Sequence, residues 1–195
     1  FSGDEMRALV LSENHPELGR KTSAFTRLMI AIGAKTGVTR HPGLVRLASR
    51  VWLPLGKEIT VIGAELVGLE LAEFLAERGR KVTVIDTEPR AGKGLYLVRR
   101  LRLLEELVHL GVTTINSAAD IAIEEHKVSY ANERGQRRSI NADHVIVAKG
   151  ATGNTDLADQ FEAEGLITHT IGDCTGVSYI EGAIEGAAEL AVKLA

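Results

Sequence analysis

The chain has 195 residues, of which 45% are hydrophobic and 25% are charged, a balance typical of a globular protein with one substantial core. No apolar run approaches the ~20 residues that a membrane-spanning helix needs. A single cysteine, Cys174, excludes an internal disulfide and a zinc or iron–sulfur centre held by a cysteine cluster. We therefore expect a cytoplasmic protein without a membrane partner.

The net charge of −3 is unevenly distributed along the chain. Residues 1–57 carry nine Lys and Arg against four Asp and Glu, whereas residues 58–195 carry fourteen against twenty-two. The positive charges of the first segment are scattered and are not interleaved with aromatic residues. This pattern favours a solvated surface or contact with an acidic neighbouring domain over a nucleic-acid site.

Residues 1–57 read as a helical insertion or linker. Apolar residues at helical spacing predict one helix over 22–33 and a second over 42–52, which Pro42 suits as a first-turn residue. Pro54 and Gly56 then break the pattern. Helices this short must pack on the following domain or on another one; a partner-binding or membrane-surface helix is the alternative.

The stretch from 59 to 86, ITVIGAELVGLELAEFLAERGRKVTVID, predicts a strand, a tight turn, a helix and a second strand. Gly63 permits the turn, and Gly68 lets the helix lie close to the first strand. The apolar face of the helix is assigned to Val67, Leu71, Phe74 and Leu75. Asp86 ends the unit 18 positions after Gly68, close to the ~20 at which an acidic group reaches a ribose 2′-hydroxyl.

One position departs from the glycine-rich G-x-G-x-x-G pattern. Its middle glycine is replaced by Glu65, which adds a Cβ and a negative charge where a pyrophosphate would approach the helix N-terminus. Either the pyrophosphate shifts outward while Glu65 turns to solvent, or nucleotide affinity is weak. An ordinary βαβ unit, with Asp86 a solvated strand end, is the remaining alternative.

The rest of the chain continues an α/β pattern. A second helix, with Leu97, Leu101, Leu104 and Val108 on one face, ends near Gly111 and precedes a strand over 112–115. Three short strands follow over 119–140, with turns at 125–126 and 132–135, and then a buried strand over 144–148. We predict a further strand over 167–171 and a closing helix over 180–194. The fold class is α/β: a Rossmann-type βαβ sheet with an antiparallel three-stranded meander, preceded by a short helical segment.

Three segments together resemble a known family: VIGAELVGLELAEFLAERGRKVTVID, VIVAKGATGN and IGDC…YIEGAIEGA. They look like two-dinucleotide flavoproteins of the pyridine-nucleotide-disulfide-oxidoreductase type. The branch that they most resemble is that of the multidomain old-yellow-enzyme relatives, similar to 2,4-dienoyl-CoA reductase and 2-enoate reductase. The resemblance implies a helical insertion over 1–57, an NAD(P)-binding domain over 58–155 and a C-terminal FAD-domain segment over 156–195.

That branch implies a longer parent protein, which a chain beginning at Phe1 also suggests. The parent would carry the first part of the FAD domain, an FMN-binding barrel and a 4Fe-4S cluster. These domains are the expected partners of this chain. Without them, the chain is expected neither to hold FAD tightly nor to turn over by itself.

The resemblance also implies the cofactor-binding residues. Gly63, Ala64, Leu66, Val67 and Gly68 match the loop under the pyrophosphate, with Glu65 as the departure. Glu70 matches a glutamate near the nicotinamide pocket, although a solvated helix residue is an equal alternative. Asp86, followed by Thr87, matches the ribose-binding acid and argues for NAD over NADP, a preference that Arg90 weakens. Gly150 matches a glycine beside the adenine nucleotide, and Gly172 and Asp173 match the flavin-contacting turn.

The function implied is that of a nucleotide-binding module. A hydride would pass from NAD(P)H to FAD and onward to an activated C=C bond, as in an enoyl- or dienoyl-CoA. Because the cofactors carry such chemistry, no catalytic side chain and no metal site is predicted. The six histidines are dispersed along the chain. The alternative is a degenerate Rossmann module that binds ADP or only docks domains; a free-standing dehydrogenase lacks a stretch for its substrate domain.

Overall fold

The computed structural model describes residues 41–51, 53–150, 153–176 and 179–195, with isolated helical positions at 5, 28, 31, 32 and 35. The chain divides into two compact units, Phe1–Lys149 and Gly150–Ala195. Within the described residues, no helix is long and apolar enough to cross a membrane. The predicted domain boundaries after residues 57 and 155 stay predictions.

The first unit alternates helices and strands. Its elements are α1 (Pro42–Val51), β1 (Glu58–Ile62), α2 (Leu66–Ala76), β2 (Lys81–Ile85), α3 (Leu97–His109), β3 (Thr113–Ile115), β4 (Ala119–Glu124), β5 (Lys127–Ala131), β6 (Arg137–Asn141) and β7 (His144–Val147). The predicted α/β fold is confirmed. The predicted helix over 42–52 is confirmed as α1, whereas the helix predicted over 22–33 lies almost wholly outside the described residues.

Four parallel strands form a sheet in the order β3-β2-β1-β7. In register, Val61 of β1 lies beside Val84 of β2 and Ile146 of β7. All three side chains are fully buried on the helix side of the sheet, with Leu69 of α2 and Leu107 of α3 in the same core. Continuous apolar strands such as EITVI and KVTVI suit this position, because a parallel sheet is covered on both faces.

The antiparallel meander forms a second sheet in the order β4-β5-β6. His126, at φ +58°, completes the turn between β4 and β5, and Asn132 organises the next turn by accepting the backbone N–H groups of Arg134 and Gln136. A smaller core joins this sheet to the parallel sheet through Ile62, Ile85 and Ala118, packed against Ile115, Ile121, Tyr130, Ile140 and Val145. The meander therefore occupies the place where a crossover helix would otherwise complete the domain.

The faces predicted for α2 and α3 are wrong in part. Leu75 of the predicted α2 face is buried as expected, but Val67 is 66% exposed, and α2 also buries Gly68, Leu69 and Ala72. The predicted face of α3 leaves Leu97, Leu101 and Val108 exposed, whereas Leu103 and Leu107 are buried. The α2 helix carries apolar residues around most of its circumference, and in α3 Leu103 and Leu107 lie beside the predicted face, so a neighbouring stripe also fits the 3.6-residue period. Packing against the sheet selects the buried stripe.

Arg78, which follows α2, joins α1 to the rest of the unit. Its guanidinium is buried, donates to the Ser49 hydroxyl at 2.9 Å and to the Phe74 carbonyl oxygen at 2.8 Å, and lies 3.5 Å from the centroid of the Phe74 ring. The apolar side chains of Leu44 and Leu47 are exposed. A polar contact from Ser49 therefore attaches α1 to the domain that follows it.

The second unit contains α4 (Asp156–Ala163), a 3₁₀ turn (Gly172–Cys174) and α5 (Tyr179–Leu194). The predicted closing helix is confirmed as α5. The predicted strand over 167–171 is wrong: that segment is irregular, because a strand needs a hydrogen-bonded neighbour and the described residues of this unit contain no strand. The sequence analysis also missed α4, although Asp156 and Asp159 in its first turn and Gly165 after it are helix-boundary signals.

The segment before β1 is attached to the start of β7 by two adjacent side chains. One oxygen of the Asp143 carboxylate accepts the backbone N–H groups of Lys57 at 2.7 Å and Glu58 at 2.9 Å, and these bonds lower the pKa of Asp143. The Gly56 N–H donates to Nδ1 of His144 at 2.9 Å. Burial of the imidazole lowers the pKa of His144, although the neighbouring Asp143 charge opposes this effect.

The bond from Gly56 makes stability depend on the protonation of His144. Only an imidazole unprotonated at Nδ1 can accept it, and the lowered pKa means that the unfolded chain takes up this proton first as the pH falls. We expect the contribution of this bond to the free energy of unfolding to be complete above the ordinary histidine pKa of ~6.5. That contribution should be lost as the pH decreases through the lowered pKa of His144. Urea unfolding at pH 7.5 and 5.5 measures this loss.

The matched control is His144→Asn, which keeps an acceptor oxygen on a short side chain and removes the titration. The variant should lose less stability than the wild type between the two pH values. An identical loss in both proteins would mean that the other histidines, and not the Gly56 contact, cause the pH dependence.

Candidate functional site

The loop between β1 and α2 lies at the carboxyl edge of the parallel sheet. Gly63 has φ +120°, and a Cβ added there would overlap the Ala148 carbonyl oxygen. The Gly63 N–H donates to the Ile85 carbonyl oxygen at 2.9 Å, and the Ala148 N–H donates to that of Ile62 at 2.8 Å. The loop is therefore held between the ends of β1, β2 and β7, where doubly wound sheets bind their ligands.

Gly68 brings α2 into direct contact with this loop. A Cβ at Gly68 would overlap the Gly63 carbonyl oxygen and lie 3.5 Å from the Ala148 Cβ. The first-turn N–H groups of α2 have no acceptor within the helix, and the helix dipole makes this end positive. The first turn contains no acidic residue. A glycine turn leading into an uncapped helix N-terminus is suited to binding a phosphate group.

Glu65 occupies the N-cap position of α2. Its φ of −84° and ψ of −176° are ordinary extended values, and its exposed side chain makes no capping hydrogen bond. A glycine is therefore not needed here for backbone conformation. The nearby Lys93 offsets part of the charge: its hydrogen bond with Glu88 raises the pKa of Lys93 most, and Glu65 raises it further. Glu65 therefore differs from a glycine here by the negative charge and the size of its exposed side chain.

Asp86, at the end of β2, is only 2% exposed and is bonded from several sides. Its Oδ2 accepts the Ala64 N–H, and its Oδ1 accepts the Glu88 N–H at 3.1 Å and lies 3.0 Å from Nζ of Lys149. Burial alone would raise the pKa of Asp86, but these hydrogen bonds and the lysine outweigh it and lower the pKa. Asp86 is thus an ionised carboxylate that braces the glycine loop from within.

Lys149 is the residue of this site that the sequence analysis did not identify. Its Nζ donates to Oγ1 of Thr87 at 2.8 Å as well as pairing with Asp86, and its side chain is 40% exposed. No local sequence signal identified it, because its place in the site follows from the pairing of β7 with β1. Lys149 comes two residues after the end of β7, at the carboxyl edge of the sheet where β1 also ends. Of the other predicted residues, Arg90 is exposed. Gly150 has φ +67°, and no described atom lies within 4 Å of a Cβ added there.

Glu70 lies on the exposed side of α2, one turn after the loop. Its carboxylate is 2.6 Å from the Arg99 guanidinium of α3, and both side chains are about half exposed. The ion pair links the two helices on the surface. The predicted place of Glu70 beside the nicotinamide stays a prediction.

Gly172 and Asp173 belong to the second unit. Gly172 has φ +71°, and Asp173 is exposed in the 3₁₀ turn that precedes α5. A Cβ at Gly172 would come 3.3 Å from the Ala183 Cβ of α5. The close contact explains a glycine at this turn, and the predicted flavin contact stays a prediction.

A parallel sheet, a glycine turn into a helix N-terminus and an acid after the second strand together define a Rossmann-type fold. The family model described as pyridine nucleotide-disulphide oxidoreductase matches residues 4–176. The chain belongs to this family.

Similar proteins include an NADH oxidase of Thermoanaerobacter brockii, 29% identical over 150 residues, which are 76% of this chain and 23% of the oxidase. A bilirubin reductase of Mediterraneibacter gnavus is 33% identical over 122 residues, 63% of this chain and 19% of the reductase. Among solved structures, a 2-naphthoyl-CoA reductase aligns with a TM-score of 0.64 and 25% identity over 72% of this chain and 22% of that one. The chain thus spans about a fifth of the length of these proteins.

Proposed function

We propose that this chain is the pyridine-nucleotide-binding module of a flavin-dependent NAD(P)H oxidoreductase. The observation that carries the proposal is the loop from Gly63 to Gly68, whose glycines let α2 begin in close contact with the ends of β1 and β7 at the sheet edge. The free N–H groups of that helix end would receive the pyrophosphate. Family membership supports the same function.

Each predicted site residue has a proposed role. The pyrophosphate would lie over the two glycines and Ala64, Glu65, Leu66 and Val67, and the adenosine would be held by Asp86, Thr87, Arg90 and Gly150. Glu70 would contact the nicotinamide, and Gly172 and Asp173 would contact the flavin. Bound NAD(P)H would supply a hydride to FAD, and the side chains would bind and orient the two cofactors.

The electrons would then reduce an activated C=C bond, such as that of an enoyl- or dienoyl-CoA, in a parent protein of the old-yellow-enzyme branch. Two similar proteins are named as reductases of 2-naphthoyl-CoA and bilirubin, which supports a reductive parent. FMN and a 4Fe-4S cluster would be held by the parent's other domains, and those domains would be the partners of this module.

A second candidate function is ADP binding without hydride transfer. Glu65 favours it, because a carboxylate at the N-cap of α2 repels the pyrophosphate. Such a module would hold the adenosine part of a nucleotide and mainly connect domains. In that case ADP and NADH bind equally well, since the nicotinamide makes no useful contact.

Calorimetric titration with NADH and ADP tests both functions on the wild type, Glu65→Gly and Glu65→Gln. We expect the wild type to bind NADH more tightly than ADP. Both variants should bind about three- to tenfold more tightly than the wild type, since an exposed like-charge contact is worth about 1 kcal/mol. Because φ at Glu65 is ordinary, the Gln variant should recover most of the gain.

Equal affinities for ADP and NADH would favour the second function. No binding to the wild type or to either variant would contradict the proposed function. A gain with Gly and none with Gln would mean that the size of the side chain, and not its charge, obstructs the loop.

A further inference from the structure

The acid that the family pattern assigns to the ribose is covered by a lysine in this protein. Lys149 lies 3.0 Å from Oδ1 of Asp86 and donates to Thr87 at 2.8 Å. The Asp86 side chain is 3% exposed, whereas that of Lys149 is 40% exposed. Of this ion pair, the lysine is the member that solvent, and hence an entering nucleotide, reaches.

The carboxylate of Asp86 has little remaining capacity to accept hydrogen bonds. An ionised carboxylate offers about four lone-pair positions. Oδ1 already takes the Glu88 N–H, the Thr87 hydroxyl at 3.3 Å and the Lys149 ammonium, and Oδ2 takes the Ala64 N–H. A ribose 2′-hydroxyl could bind Oδ1 only by displacing one of these donors, and burial of the Asp86 side chain limits its access to Oδ2.

The ammonium group, in contrast, keeps a donor for a ligand. Lysine has three N–H donors, and Asp86 and Thr87 take two of those of Lys149. Arg90 adds a second exposed positive charge in the loop after Asp86, while Glu88 is paired with Lys93 at 2.9 Å. An anionic substituent on the ribose therefore meets positive charge at this position.

We propose that Lys149 determines the cofactor preference of this site by accepting the 2′-phosphate of NADPH. The inference rests on the proposed function and names its substrate class, a 2′-phosphorylated adenine dinucleotide. It replaces the preference for NAD that Asp86 suggests when its sequence position is considered alone. Lys149 offsets the repulsion that the Asp86 carboxylate would otherwise exert on the phosphate.

Titration of the full chain with ADP-ribose and 2′-phospho-ADP-ribose isolates this interaction, because the two ligands differ only in the 2′-phosphate. We expect the wild type to bind the phosphorylated ligand at least as tightly as the other. Lys149→Met, similar in length but uncharged, should reduce the affinity ratio of phosphorylated to unphosphorylated ligand about tenfold. Lys149→Arg should preserve the ratio.

The matched control is Lys81→Met, which makes the same change in net charge. Lys81 pairs with Glu58 at the opposite end of β2, so its replacement should leave the ratio unchanged. If Lys149→Met does not fold, Lys149→Gln keeps a donor to Asp86 and carries the same expectation.

Two results would overturn the inference while leaving the proposed function intact. One is tenfold tighter binding of unphosphorylated ADP-ribose by the wild type, and the other is an unchanged ratio in the folded Lys149 variants. Failure of the wild type to bind either ligand would overturn the proposed function, and the inference with it.

Discussion

Asp86→Ala is expected to lower the free energy of unfolding by about 3 kcal/mol and to abolish nucleotide binding. The carboxylate is buried and accepts the Ala64 and Glu88 N–H groups while pairing with Lys149. Its removal leaves these donors without their acceptor and frees the glycine loop from the end of β2. Urea unfolding and calorimetric titration with ADP measure the two effects.

Asp143→Ala provides a matched control. Asp143 also accepts two backbone N–H groups, those of Lys57 and Glu58, but it is exposed and water can replace its carboxylate. Its replacement should cost much less stability than that of Asp86 and should leave ADP binding intact. Equal losses in the two variants would show that burial and the pairing with Lys149 do not matter.

The stabilising contribution of Asp86 also has a defined pH range. Because the pKa of Asp86 is lowered in the folded protein, its contribution is complete above the ordinary carboxyl pKa of ~3.9 and is lost as the pH falls through the lowered value. The comparison of wild type and variant is therefore made at pH 7. As the pH falls through the lowered pKa of Asp86, the difference between them should shrink.

Gly68→Ala is expected to lower the free energy of unfolding by about 2–3 kcal/mol, as overpacking of a tight site does. The added Cβ would overlap the Gly63 carbonyl oxygen, so α2 must move away from the glycine loop. That movement would also displace the N–H groups proposed to bind the pyrophosphate. We expect ADP affinity to fall together with stability in the same unfolding and titration experiments.

Gly43→Ala is the control for this substitution. Gly43 lies in α1, and no described atom comes within 4 Å of an added Cβ. An alanine there should be neutral or stabilising by up to ~1 kcal/mol, because alanine favours the helix over glycine. If Gly68→Ala were equally harmless, the close approach of α2 to the loop would be wrong.

The strands and the glycine turn were predictable from the sequence because their signals are local. The runs EITVI and KVTVI, Gly63 and the turn at Asn132 each specify a conformation over a few residues. The faces of α2 and α3 were not predictable in this way, because more than one apolar stripe fits each helix. Long-range packing on the sheet decides between them.

The predicted strand over 167–171 was wrong for a related reason, because strand formation also depends on long-range contacts. Its composition is suitable for a strand, but strand formation depends on a neighbour that a local pattern does not reveal. At the site, the sequence identified the loop and Asp86 separately. The bond between Ala64 and Asp86, 22 residues apart, and the pairing with Lys149 required the register of β1, β2 and β7.

Nitrogen-15 amide spectra of the protein during titration with ADP test the central claim most directly. If the loop between β1 and α2 binds the pyrophosphate, the largest shifts will fall on the amides of Ala64, Leu66, Val67 and Gly68. Smaller shifts will follow at Thr87 and Lys149, and the amides of β5 and β6 will not move. Saturable shifts elsewhere with a silent loop, or no shifts at millimolar ADP, would contradict the account.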